Sequence, residues 1–289
     1  MRYLTAFLAL LLSAYGSAAD AQRPVFTFTA IPDQNETELV ARFQQVADYL
    51  SIQLNVDVRY IPVKSYPAAI TAFRNNQVQL AWFGGLSGVQ ARNTVPGSQA
   101  IAQGEEDQFF KTYIIAHNST GLTEADVLTD ELKGKTFTFG SKGSTSGRLM
   151  PEFYLREAFN QAPEKTFARV GFSGDHSRTI ALVQSGAYEL GAVNYSVWDQ
   201  GVTNGTIDTN LVSVIWTTPT YTDYNWTVRG DIDTQFGQGF QQKLTDALLG
   251  LTDSKILNAF PRTKFVAASN DDYAAIEQTA KDIGLLDDF

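Results

Sequence analysis

Ser144, Thr145, Ser146 and Gly147 stand in a row within FTFGSKGSTSGRLMPEFYL (residues 137–155), between a run that alternates like a strand and one whose apolar spacing suits a helix. The first N–H groups of a helix have no partner inside it and carry partial positive charge, so such a junction can hold an anion without any formal cation. Three adjacent hydroxyls would add directed donors at the same point, and Gly143 and Gly147 would let the backbone come close. The combination suits a small tetrahedral oxyanion. A helix cap needs only one hydroxyl, so Ser144 or Thr145 acting as a plain cap explains part of the pattern and leaves two hydroxyls over.

His176, in SGDHSRTIALV, has the place of a helix cap, and Asp223, in YTDYNW, that of an ordinary turn residue. Ser144, His176 and Asp223 can also be drawn as the nucleophile, base and orienting acid of a hydrolase. Against that, the chain has no nucleophile elbow of the GxSxG kind, and three neighbouring hydroxyls suit shared gripping better than one activated nucleophile. The loop also lacks the GK[ST] ending of a nucleotide-binding P-loop.

Composition narrows the partners. The chain has 22 Lys and Arg against 31 Asp and Glu, a net charge of −9, which makes nucleic acid or an anionic membrane surface an improbable partner. An anionic ligand must then be attracted by local dipoles. With no Cys and only two His, disulfide frameworks and Cys- or His-rich metal sites are excluded, and no cofactor is expected. Arg2, an apolar run from Leu4 to Leu12 and small residues thereafter read as a secretory signal peptide over residues 1–21, too short in its apolar core to anchor the chain. The roughly 270 residues that remain are enough for two separately packed lobes.

The elements that must position these residues alternate. PVFTFTAI, VDVRYIPV and VQLAWFGG read as strands, with helices over NETELVARFQQVADYLSIQL, YPAAITAFRNNQ and SGVQARNT; Asn35 is placed to cap the first helix. After SQAIAQG and FFKTYIIAH the alternation restarts with GKTFTFG, LMPEFYLREAFN, TFARVGF, SRTIALVQSG and YELGAVNY. LVSVIWTT and YTDYNWTVRGD read as extended, and helices close the chain. This predicts an α/β protein of two lobes, each a mostly parallel sheet flanked by helices. One lobe takes residues 22–115 and 223–289, the other residues 116–222. Trp82, Trp216 and Trp226 are expected in the packing rather than at a ligand.

Four segments together resemble the periplasmic solute-binding proteins of ABC importers for phosphonate and phosphite. They are AWFGGLSG (81–88), GSKGSTSG (140–147), SGDHSRTIALVQSGAYELGAVN (173–194) and VIWTTPTYTDYNWTVRGD (214–231), in the family's order. The resemblance implies a venus-flytrap fold that closes on its ligand, no enzymatic activity, a periplasmic location and delivery to an inner-membrane permease, with a monomer as the default. It assigns oxyanion gripping to Ser144, Thr145 and Ser146, and ligand contact to His176 and Asp223. An ionised carboxylate only accepts hydrogen bonds, so an Asp223 placed as the resemblance implies favours a ligand with a proton to share. Phosphite, methylphosphonate and phosphate can carry that proton near neutral pH, whereas sulfate and selenate effectively do not. A charged His176 would offset Asp223 and keep phosphate or selenate as alternatives. Phe83 and Phe110 fall where related proteins place a Tyr, so each lacks a phenolic hydroxyl. Ser177 replaces an acidic residue of the aminoalkylphosphonate binders, which implies a small ligand without an amine.

Overall fold

The computed structural model describes residues 24–286, so the signal peptide expected at residues 1–21 lies outside the described residues. Among the described residues eleven strands form two sheets. The first contains β1 (Phe26–Ala30), β2 (Val58–Tyr60), β3 (Leu80–Phe83), β4 (Gln99–Gly104), β10 (Asn225–Val228) and β11 (Phe265–Ala267), ordered β11-β4-β10-β3-β1-β2. The second contains β5 (Thr112–His117), β6 (Thr136–Phe139), β7 (Arg169–Phe172), β8 (Leu190–Asn194) and β9 (Val212–Thr217), ordered β7-β6-β8-β5-β9. In the first sheet β2, β1, β3 and β4 run one way and β10 and β11 the other; in the second only β5 opposes the rest. Both sheets are thus mixed rather than mostly parallel as expected: three of the five pairings in the first and two of the four in the second are antiparallel, because β10 and β5 return through the crossings and β11 adds an antiparallel edge.

The crossings are two paired segments. Phe110 and Tyr221 exchange backbone hydrogen bonds of 2.8 and 2.9 Å, and sheet membership changes on either side of them. β5 already belongs to the second sheet from Thr112, so a division after residue 115 falls inside that strand. A crossing strand pairs along its whole length, and hydrophobic alternation alone does not show where it changes partners.

Among the described residues the eleven α-helices are α1 (Glu36–Leu54), α2 (Tyr66–Arg74), α3 (Gly85–Thr94), α4 (Met150–Phe159), α5 (Pro163–Thr166), α6 (His176–Gln184), α7 (Tyr195–Thr203), α8 (Ile232–Phe236), α9 (Phe240–Leu249), α10 (Ser254–Ala259) and α11 (Ala274–Asp282). Local chemistry sets several starts. The Asn35 side chain accepts from Thr37 N–H at α1, with Glu36 and Glu38 in the favourable first turn. Leu39, Phe43, Val46, Leu50 and Leu54 then recur at helical spacing and bury one stripe. Ser65 caps α2, Asp175 caps α6 and Asn194 caps α7.

Packing follows the two sheets. One core joins Phe26, Phe28, Phe43, Trp82, Trp226 and Phe260 around the first sheet. On the second sheet one face is covered by Phe137, Phe139, Leu155 and Phe159, the other by Ile180, Val183, Val193 and Trp198, which is why its strands read as apolar on both sides. Trp82 and Trp226 pack 5.1 Å apart in the first core, and Trp216 is buried in the second, as expected of packing residues.

Candidate ligand site between the lobes

The carboxyl ends of strands from both sheets converge on one seam, the position where ligands settle in open α/β folds. Asp33 follows β1, Gly84 follows β3, the hydroxyl loop follows β6, His176 follows β7, and Asn194 ends β8. β10 runs the opposite way, so it is the residues entering it, Asp223 and Tyr224, that reach the same edge.

Within the loop the three hydroxyls divide their work. Ser144 Oγ accepts from Gly147 N–H at 2.9 Å, capping a single π-helical turn (Thr145–Leu149) that runs into α4. Ser144 is therefore the cap, and Thr145 and Ser146 are the hydroxyls left over. Thr145 Oγ1 reaches across the seam and accepts from Leu86 N–H at 3.0 Å. Ser146 Oγ lies 3.4 Å from His176 Nε2. Gly147 is required here, because a Cβ would stand 2.9 Å from Ser144 Oγ.

The first lobe answers with backbone donors and one carboxylate. Gly85 N–H, at the start of α3, donates to Asp223 Oδ1 at 2.9 Å. Asp223 Oδ2 is buried with no partner. A Cβ at Gly84 would sit 3.1 Å from Asp223 Oδ1 and 3.2 Å from Thr145 Oγ1, so the Gly84-Gly85 pair is what lets α3 approach. These backbone N–H groups were not anticipated from sequence. Their one trace is GG at the end of an apolar strand.

Burial sets the protonation states. It raises Asp223 to about 7, against the partial relief given by Gly85 N–H and the Thr145 hydroxyl. It lowers His176 to about 4, so the ring is neutral at neutral pH. The expectation of a charged His176 offsetting Asp223 is corrected accordingly: its site is too poorly solvated to hold the charge. His176 Nδ1 accepts from Asn194 N–H at 3.3 Å, which leaves the proton of the neutral ring on Nε2, facing Ser146. His176 does not cap α6; Asp175 does, accepting from Arg178 N–H at 2.7 Å.

These contacts do not assemble a hydrolytic triad. Ser144 is committed to its cap, His176 presents a donor rather than a base to the nearest hydroxyl, and Asn194 N–H rather than Asp223 meets Nδ1.

Phe83 and Phe110 are fully buried. Phe83 packs on Phe73 at 5.7 Å, and Phe110 packs among Tyr195, Tyr221 and Tyr224 at 4.8, 6.1 and 5.4 Å. The phenols missing at those two positions have counterparts elsewhere in the seam. Tyr66, at the start of α2, directs its buried hydroxyl to Ser144, and Tyr221 shares a 2.6 Å hydrogen bond with Thr112 Oγ1 beside Ser146. Both come from parts of the chain far from the loop. The loop, His176 and Asp223 are all buried where the lobes meet, and a groove of about 590 Å³, lined by Pro32, Ser65, Ser141 and Asp175 among others, opens between the lobes alongside. Among the described residues no group of three or more His, Asp or Glu could hold a metal, and no helix is long and apolar enough to cross a membrane.

Two α/β lobes joined by paired crossings, with converging donors between them, define a two-lobed solute-binding protein. The family model for the periplasmic substrate-binding protein of ABC phosphonate transporters matches residues 28–273, and the chain belongs to that family. Its role is to bind a solute for an ABC importer, not to transform one. A probable ABC transporter phosphite binding protein, PhnD1 of Prochlorococcus marinus strain MIT 9301, is 39% identical over 99% of both chains. The structure of that PhnD1 in complex with methylphosphonate superposes with a TM-score of 0.86 at 40% identity, covering 90% of this chain and 98% of that one. The binding-protein component of an ABC phosphonate transporter from Pseudomonas aeruginosa shares the fold, with a TM-score of 0.78 at 22% identity, covering 91% and 89% of the two chains.

Proposed function

We propose that this protein captures phosphite, methylphosphonate or a closely related small phosphonate between its lobes and hands it to an inner-membrane permease, acting as a periplasmic monomer exported by a cleavable signal peptide. Ser144, Thr145 and Ser146 form the oxyanion cradle, with Ser144 shaping it and the other two donating. His176 adds a neutral Nε2–H donor, and Asp223 takes part in a shared proton. Phe83 and Phe110 give the cradle an apolar wall.

The observation that carries this reading is Asp223 Oδ2, a buried carboxylate oxygen without a partner in the seam. Leaving it unsatisfied is costly, and a protonated oxyanion supplies what it lacks. Because burial holds Asp223 near 7, the proton between carboxylate and ligand can start on either. Above that pH, only a ligand bringing its own proton avoids repulsion. Ser177 stands where an amine-binding acid would be needed, in keeping with a ligand that has no amine.

Calorimetric titration with phosphite, methylphosphonate, phosphate and selenate at pH 8 tests this directly. We expect tight binding of phosphite or methylphosphonate and at least tenfold weaker binding of selenate. Tight binding of selenate alone would overturn the shared-proton reading.

A further inference from the structure

A second set of polar residues links the lobes beside the cradle, and nothing in the anion chemistry requires it. Asp33, in the turn after β1, offers its backbone carbonyl to His176 N–H at 2.9 Å and its Oδ2 to the Tyr224 hydroxyl at 2.7 Å. That hydroxyl accepts from Asn194 Nδ2 at 3.1 Å, and Asn194 N–H in turn donates to His176 Nδ1. The four residues close a ring of hydrogen bonds, and all four are buried.

Each half of the ring is fastened to its own lobe. The Tyr224 ring stacks on Trp82 of the first sheet, 5.4 Å away and tilted by only 19°, so its hydroxyl moves with that lobe. The Asn194 Oδ1 caps α7 by accepting from Ser196 and Val197 N–H, so its amide moves with the other. Only the Asn194–Tyr224 and His176–Asp33 bonds of the ring span the seam. A small cavity of about 10 Å³ beside the ring, bordered by Asp33, Arg42, Asn194, Tyr224 and Arg262, has room for about one water.

We propose that Asp33, Tyr224 and Asn194 form a closure latch, made only when the lobes meet, that also positions His176 with its Nε2–H toward the ligand. They are positioning residues for binding, acting through His176 and through the open–closed equilibrium. The role of His176 at the ligand rests on the function proposed above; the latch itself does not.

The chain has no Cys, so one label can be placed on each lobe at the exposed positions Ile52→Cys and Val127→Cys. Distance distributions between the two labels, without ligand and with methylphosphonate, are compared for the parent, Tyr224→Phe and Asn194→Asp. Tyr224→Phe keeps the ring stacking and removes the hydroxyl; Asn194→Asp keeps the α7 cap and removes the amide donor. Both variants should raise the ratio of open to closed forms about tenfold without ligand and weaken methylphosphonate binding by a similar factor. The 15N shifts of His176 should change from a single Nε2–H tautomer to a mixture, which a purely structural role for Tyr224 would not produce. If Tyr224→Phe does not fold, Asn194→Asp decides. An unchanged distance distribution in a folded variant, or a single unaltered His176 tautomer, overturns the proposal. A shifted distribution in a protein whose parent binds no phosphonate would instead uphold the latch and refute the ligand assignment.

Discussion

Two buried carboxylates sit side by side at the inner edge of the first sheet and have opposite fates. Asp107 carries a complete set of partners: Arg262 donates to both of its oxygens, at 2.5 and 2.8 Å, and Gly104 N–H donates to Oδ2. Burial opposes the Arg262 charge, but Asp107 more than offsets that and pushes the guanidinium pKa up. Asp223 is joined to the same segment through its own N–H, which donates to the Asp107 carbonyl at 2.9 Å, yet its side chain, relieved by Gly85 N–H and the Thr145 hydroxyl, keeps one orphan oxygen and is paired with no cation among the described residues. Depth is the same in both cases, so depth alone does not mark a site. The difference is an unfilled valence facing the seam. Asp107 is fully satisfied by the chain; Asp223 keeps a buried oxygen that the described residues leave without a partner.

Four variants break or sharpen that contrast. The largest effect should come from Thr145→Ala combined with Ser146→Ala, which removes two donors from the ligand but leaves the cap. At roughly 1.5–3 kcal/mol for each charge-assisted bond, binding weakens by about 3–6 kcal/mol in calorimetry while the unfolding midpoint stays near that of the parent. An unchanged dissociation constant would remove the cradle from its assigned place. Next, Arg262→Ala strands Asp107 without its cation and should cost about 3–5 kcal/mol of stability in denaturant unfolding. A loss below about 1 kcal/mol would mean that the pair is not the structural counterpart described.

Asp223→Asn should act on pH dependence more than on the fold. Its folded pKa, about 7, lies above the ordinary 3.8, so stability of the ligand-free closed form is fully present below about 4 and is lost as pH rises through 7. The Asn variant should lack that loss. In the parent, affinity should fall about tenfold per pH unit above 7, as the shared proton becomes harder to supply, and the variant should show a flatter profile. Identical profiles would reject the proton-sharing role. His176 works with the opposite sign: held near 4, it contributes stability present above about 6.5 that is lost as pH falls toward 4. The smallest effect is expected for Ser144→Ala, about 1 kcal/mol of stability from the lost cap, with a smaller change in affinity than the Thr145 and Ser146 pair. A loss of affinity as large as that of the double variant would make Ser144 a direct ligand contact rather than a support.

Much of the fold was legible because its elements are long or sharply patterned. The stripe from Leu39 to Leu54 and the alternation in FTFTA carry their structure locally. The segments Phe265–Ala267 and Tyr195–Thr203 do not: the first is three residues held by antiparallel pairing to an edge strand, and the second is set by the Asn194 cap and tertiary packing. At the site, adjacent hydroxyls stand out because a cap explains only one of them. Which one caps depends on the turn geometry, which residue types do not encode. The Gly85 and Leu86 donors are backbone groups, common to every residue but proline, and Tyr66 reaches Ser144 only through the fold. Asp33 and Asn194 look like ordinary turn and cap residues until the two sheets are brought together.

The most direct measurement is a crystal structure of the protein with methylphosphonate. The account predicts the phosphonate oxygens within hydrogen-bonding distance of the Thr145 and Ser146 hydroxyls, with one of them also meeting Asp223 Oδ2. An anion lodged elsewhere, with that carboxylate oxygen still unpaired, would contradict it.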